Sequence, residues 1–208
     1  MRASSFHITA AIFFCAGTAQ GEIPADLRDF LNTAAISKIE AGKVVQERTG
    51  FKDAEGRTCA QGRAAVLIAK PPEAIWPHII SNDRYCEFIP HAVSAVKYME
   101  SENRVGWKET VKVAFGKISY HIIQTRDEQA HVASWRLDKS KENGIHDTHG
   151  SWTLIPHGEN KTILVYASRI DSGMAVPRFI ENFFLNRGLP EIVNAVKKRA
   201  ESNGAYKR

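Results

Sequence analysis

The sequence predicts an α+β domain: a curved antiparallel sheet wrapped around a long C-terminal helix, with two short helices between the first two core strands. Three observations predict it. The stretch from Ala64 to Met99 reads as an apolar strand, a double-proline stop, two short helices, a proline turn and a second strand. A meander of strands separated by short turns follows, as expected of antiparallel neighbours. The chain then ends in an amphipathic helical segment. An arrangement of this kind leaves an apolar cavity between sheet and helix.

The chain has 208 residues, room for one ordinary domain plus a targeting segment. Its 43% hydrophobic and 25% charged residues are those of a folded chain rather than a disordered one. The formal charge is +5, and the basic residues are scattered, densest at Lys197, Lys198 and Arg199. Scattered charge argues for a solvated surface and against a nucleic-acid partner, whose footprint would cluster on one face.

At the N-terminus, Arg2, the apolar run Ile8 to Ala16 and the small residues of Ala19-Gln20-Gly21 form an export signal, with residues 1–21 removed. The run is far shorter than the ~20 residues that span a bilayer. Cleavage leaves a charge of +4, an expected periplasmic location and two cysteines, Cys59 and Cys86. In an oxidising compartment these two can pair, and two unpaired, half-buried thiols are an equally fair reading.

Residues 22–50 read as an addition to the core domain, which spans 51–208. Leu27, Phe30, Leu31, Ala34 and Ala35 fall at helical spacing within Pro24 to Ile39, and Gly42 ends that helix. Lys43 to Thr49 reads as a strand and Gly50 to Arg57 as a turn. From Ala60 to Ile68 two residue sets alternate, marking a strand. Pro71 and Pro72 stop its ladder, and Pro72 with Glu73 suits the first turn of a helix carrying Ile75, Trp76, Ile79 and Ile80. Ser81-Asn82-Asp83 breaks that helix and caps a second, bearing Tyr85, Phe88 and Ile89, which Pro90 ends.

Strands then follow at about 93–99, 104–115, 117–126, 131–138, 146–156 and 161–171. The last two are apolar on both parities in places, so periodicity does not assign their inward faces. After Gly173 a helix spans about 176–200, with Val176, Phe179, Ile180 and Phe183 on one stripe and Leu189, Ile192, Val193 and Val196 on another. Gly188 and Pro190 predict a kink between them.

The segments Ile68 to Trp76, Asn82 to Pro90 and Gly150 to Leu154, with the helix after Gly173-Met174-Ala175-Val176-Pro177, resemble the START-like superfamily of polyketide cyclase/dehydrase and coenzyme Q-binding domains. The resemblance covers about residues 57–202 and implies a helix-grip fold with an apolar ligand in the enclosed cavity. It does not select an activity, because the superfamily holds carriers, binding proteins and enzymes.

The strand 104–115 is the most telling for a site. Val105, Trp107, Glu109, Val111, Val113 and Phe115 share one face, which must be the buried one. Glu109 therefore points inward among apolar neighbours, where an unpaired carboxylate is costly. It could bond a ligand or act as a general acid or base. Pairing with an arginine, or a place near a strand end in water, are the alternatives. The expected ligand-binding set is Trp107, Glu109, Val111, Tyr120, Ile122, Trp135, Tyr166 and Arg169 from the sheet, with Phe179 and Phe183 from the helix. Tyr120 stands out because a buried hydroxyl seeks a partner. Arg169 is a partner for a ligand carboxylate or for Glu109, or else a surface arginine. Trp152 reads as structural.

His146 and His149 point to opposite faces of a strand, which argues against a shared metal. No cofactor is called for, and no GxSxG elbow, Walker loop, dinucleotide fingerprint or HExxH occurs. The functional expectation is an exported binding or carrier protein for a lipid-, quinone- or polyketide-like molecule. A cyclase or dehydratase using the same cavity is the alternative. An accessory module touching a membrane surface or another protein through its basic C-terminal helix is a third.

Overall fold

The computed structural model describes residues 21–52, 58–113, 116–171, 173 and 188–208. Eight strands form one antiparallel sheet: β1 (Val45–Lys52), β2 (Thr58–Ile68), β3 (Ala92–Ser101), β4 (Arg104–Val113), β5 (Gly116–Asp127), β6 (Val132–Leu137), β7 (Asp147–Pro156) and β8 (Thr162–Asp171). Their order across the sheet is β1-β2-β8-β7-β6-β5-β4-β3. The expected strands lie where the alternation and turn signals place them, within one to three residues. The chain between β2 and β3 must therefore cross most of the sheet. It does so through α2 (Pro72–Ile80), a 3-10 turn (Asn82–Arg84) and α3 (Tyr85–Phe88).

The described part of the C-terminal helix, α4 (Leu189–Glu201), packs on the concave face. Its Leu189, Val193, Val196 and Ala200 join Ala64, Val66 and Ile68 of β2, Leu154 of β7 and Leu164 of β8, together with Ile75 and Ile79 of α2. This is the α+β helix-grip fold that the sequence predicts. Residues 174–187, which include Phe179 and Phe183, lie outside the described residues.

The N-terminal segment departs from the expected single helix. A 3-10 turn at Ala25–Leu27 is followed by α1 (Thr33–Glu40), and Asn32 caps α1 by accepting from the Ala35 N–H at 3.0 Å. An asparagine bonded this way favours a helix start over a helix interior. Gly42, at φ +77°, ends α1. This segment covers the convex face: Leu27, Phe30, Leu31 and Ile39 pack on Val45, Ala65, Ile155, Ile163 and Val165. The β2–β8–β7 end of the sheet is thus buried on both sides. That explains why β7 and β8 are apolar on both parities, and why Ala64 and Ala65 are alike inaccessible.

The basic run of α4 is not the outward patch the sequence suggested. Arg199 is 2% exposed, donates to Glu87 Oε2 at 2.6 Å and to the Tyr206 carbonyl at 2.7 Å, and lies over the Phe88 ring. Lys197 donates to the Leu67 carbonyl and to Glu201. Only Lys198 of the three is exposed. The chain end is drawn inward instead: the Arg208 side chain donates to the Ala92 carbonyl at 2.6 Å.

Candidate functional site

The antiparallel register places the inward side chains of β4 and β5 in facing pairs. Trp107 lies opposite Ile122, Glu109 opposite Tyr120, Val111 opposite Ile118, and Val105 opposite Gln124. β6 adds Trp135, opposite Gln124. At the far side Tyr166 of β8 pairs with Trp152 of β7. The Trp135 and Tyr166 rings stack with centroids 5.5 Å apart and planes 21° apart, and Trp152 meets Tyr166 at 4.3 Å. The stack is possible because Gly150 lies between: a Cβ there would sit 2.3 Å from the Trp135 ring and 2.3 Å from the Ala167 carbonyl oxygen.

Glu109 stands at the centre of this face. Tyr120 donates its hydroxyl to Oε2 at 3.0 Å, and Asn82, from the helical connection, donates Nδ2 to Oε1 at 2.7 Å. Asn82 in turn accepts from Gln124 Nε2 at 3.0 Å, and Gln124 accepts from Arg126 Nε at 3.0 Å. Arg126 also donates to the Ile80 carbonyl at 2.7 Å. Asn82 and Gln124 are 2% and 1% exposed, so neither can exchange these partners for water. The polarity of the chain is set at one end. A guanidinium only donates, so Gln124 must present its oxygen to Arg126 and its amide N–H to Asn82. Asn82 must then present its own N–H to Glu109, which ends the chain as an acceptor.

Burial pushes the Glu109 carboxyl above its ordinary value, against the two hydrogen bonds that pull it down. Burial also raises the hydroxyls of Tyr85 and Tyr120 far above the usual phenol range and Tyr166 to about 12, with the Glu109 charge adding to each. Tyr85 donates to the Ile79 carbonyl. All four groups nevertheless keep accessible surface. Groups that are strongly desolvated and still keep part of their surface accessible suit the wall of a recess better than a filled core.

Of the expected set, Glu109, Tyr120, Trp135 and Tyr166 thus come together, with Val111 on the same face. Trp107 and Ile122 are 2% and 3% exposed and form a small core of their own with Val105, beside the recess. Arg169 lies on the other face: it pairs with His149, in the parity of Val165, whose side chain belongs to the convex core. It is therefore a partner of neither Glu109 nor a ligand in the recess. Phe179 and Phe183 lie outside the described residues. Cys86 is a free thiol, its Sγ 3.6 Å from the Asp83 carbonyl, and the side chain of Cys59 lies outside the described residues.

The sequence reading missed Asn82, Tyr85, Gln124 and Arg126. Gln124 and Arg126 share the inward parity of Tyr120 and Ile122, so alternation along β5 could have found them. Asn82 reads as a helix breaker, and Tyr85 as a core residue of α3, because nothing local tells either what it faces.

Two cavities flank this arrangement. One, of about 260 Å³, opens between the helical connection and the sheet and is walled by Ile80, Ser81, Trp107 and Arg126 among others. A larger one, of about 590 Å³, lies on the convex face against Arg104, Arg136, Asp147 and His149. The recess is the better candidate, since its polar groups converge and are desolvated while those of the convex cavity face water.

Residues 68–197 match the model of the family described as polyketide cyclase / dehydrase and lipid transport. Among curated proteins none matches this chain. The Zhui aromatase/cyclase from Streptomyces sp. R1128 superposes with a TM-score of 0.60 at 16% identity, covering 69% of this chain and 94% of that one. A STAR-related lipid transfer protein fragment from Xanthomonas axonopodis gives 0.56 at 14% identity, with 74% and 98% covered. A START superfamily protein from Mycobacterium smegmatis gives 0.58 at 12% identity, with 68% and 97% covered. These likenesses speak to the fold, and the family model covers more than half the chain. The chain belongs to the polyketide cyclase / dehydrase and lipid transport family, and it shares its fold with these START and aromatase/cyclase structures.

Proposed function

We propose that this protein is exported, loses residues 1–21, and binds or carries an apolar small molecule of lipid, quinone or polyketide type in the concave recess. One observation carries the reading: among the described residues, aromatic rings and one carboxylate share a desolvated wall that keeps part of its surface accessible. Such a wall binds by burying ligand surface, at roughly 25 cal/mol per Å² before the costs of association. The names of the structural neighbours, a lipid transfer protein and an aromatase/cyclase, agree with a ligand of this kind.

The test is mass spectrometry of organic extracts from the purified mature protein. A reproducible apolar species at near one-to-one ratio supports the reading. Repeated empty extracts, together with no binding of lipids, quinones or polycyclic phenols in titration, sink it. Export is tested separately by N-terminal sequencing of the protein from the periplasmic fraction, where the expected first residue is Glu22. A chain that stays in the cytosol with Met1 intact overturns that part.

A second reading is an enzyme of cyclase or dehydratase type. It draws on the hydrogen bond of 3.0 Å between Tyr120 and Glu109, which couples two proton-bearing groups at the recess wall. Turnover of a polyketide-like substrate that is lost in Glu109→Gln, with binding kept, would favour it over the carrier.

A further inference from the structure

The polar chain that ends at Glu109 carries information about the ligand as well as about the fold. Building on the ligand-binding reading above, we infer that the recess selects apolar molecules that present a neutral hydroxyl to Glu109 and rejects those that end in a carboxylate. Three observations lead there.

The first is the direction of the chain. Arg126, Gln124 and Asn82 each pass a donor toward Glu109, and Tyr120 supplies another, so both carboxyl oxygens accept. A carboxylate offers about four lone-pair positions. The described partners use two, and in the ionised form what remains can only receive a hydrogen.

The second is the charge around it. Asn82, Tyr85, Tyr120 and Tyr166 are the polar side chains from the helical connection, α3, β5 and β8 that surround Glu109, and none of them is cationic. Arg126, the cation of the chain, is held by Gln124 and the Ile80 carbonyl, faces the 260 Å³ cavity, and reaches Glu109 only through Gln124 and Asn82. Arg169 is on the convex face. Among the described residues, a ligand carboxylate entering the recess would therefore meet an acceptor and no counter-charge, in a place where desolvation strengthens the repulsion.

The third is that the two tyrosines nearest in the chain of bonds do not compensate. Tyr85 is committed to the Ile79 carbonyl and Tyr120 to Glu109 itself. Their hydroxyls are not available to a ligand anion without breaking the bonds that hold the wall.

The experiment is a titration of the mature protein at pH 7.5, followed by tryptophan fluorescence and calorimetry. The ligands come in matched sets below their aggregation limits: dodecanol, methyl dodecanoate and dodecanoate, and 2-naphthol, methyl 2-naphthoate and 2-naphthoate. The expected order in each set that binds is alcohol, then ester, then carboxylate, with the alcohol about tenfold or more tighter than the carboxylate, as a bond to a charged acceptor warrants. In Glu109→Gln the alcohol weakens and the gap to the carboxylate closes to within about threefold. A carboxylate that binds wild type as well as its alcohol overturns the inference. So does an ester that equals the alcohol, since no hydroxyl is then being read, and so does a gap that persists unchanged in Glu109→Gln. The wild-type series decides even where the variant does not fold. If no member of either set binds, the ligand-binding reading itself falls, which is distinct from binding with the wrong order.

Discussion

At the residue scale the decisive group is Glu109. Alternation in β4 is enough to turn it inward, because a strand exposes one parity to each face. What alternation leaves open is how a buried carboxylate is tolerated. The answer lies in Asn82 and Gln124, which arrive from 27 residues upstream and from the neighbouring strand, and no spacing rule links them. The arginine partner considered from sequence is not among the described partners of Glu109: Arg126 reaches it only through two amides, and Arg169 lies on the other face. A consequence for pH follows. The Glu109 carboxyl is harder to ionise folded than unfolded, so its ionisation opposes folding. The stabilising contribution is complete below the unfolded carboxyl value, near 4.3, and is lost as pH rises through the higher folded value. Glu109→Gln keeps an acceptor for Asn82 and cannot ionise. Its Tm should therefore gain on wild type as pH is raised from 4 to 8, the gain accruing between the unfolded and folded carboxyl values and levelling off above them. A thermal scan series in which the two curves stay parallel would remove the buried-charge account.

At the scale of elements, the strands were readable because turn chemistry and period 2 agree along the whole meander. The N-terminal helix is half legible: its apolar spacing shows in the sequence, but only the structure separates Asn32, which caps the start of α1, from the other polar residues of the segment. Gly150 shows what a single glycine does for an element. It was visible as part of Gly150-Ser151-Trp152, while its purpose is set by β6, since the Trp135 ring lies where its side chain would be. Gly150→Ala must displace either the ring or the Ala167 carbonyl, and the carbonyl belongs to the β7–β8 ladder. We expect a loss of about 1–3 kcal/mol, the range for overpacking a filled site. The near-ultraviolet circular dichroism of the Trp135–Tyr166 stack should change with it, and ligand affinity should fall. Unaltered near-ultraviolet signal and affinity would show that the stack does not form the recess wall.

At the scale of the whole molecule, one sheet separates two tasks. Its convex face at the β1–β2–β8–β7 end is sealed by the N-terminal segment, and its concave face is shared between α4 and the recess. The sequence reading treated residues 22–50 as an addition, yet β1 pairs with β2 from Val45 to Lys52 and α1 closes a core that β2 and β8 would otherwise leave bare. Stability and ligand binding should therefore be separable by choosing a face. Ile39 is inaccessible, belongs to the convex core, and lies across the sheet from Glu109. Ile39→Ala should cost about 2–5 kcal/mol in denaturant unfolding, as large-to-small core changes do. The affinity of the folded fraction for its ligand should stay within about twofold, because sites without shared partners act additively. Tyr120→Phe should behave the other way, since it keeps the ring and removes only the hydroxyl bonded to Glu109. If Ile39→Ala weakened ligand binding as much as Tyr120→Phe, the two faces would be mechanically coupled through β2 and β8. The N-terminal segment would then be part of the binding device and not merely its outer wall.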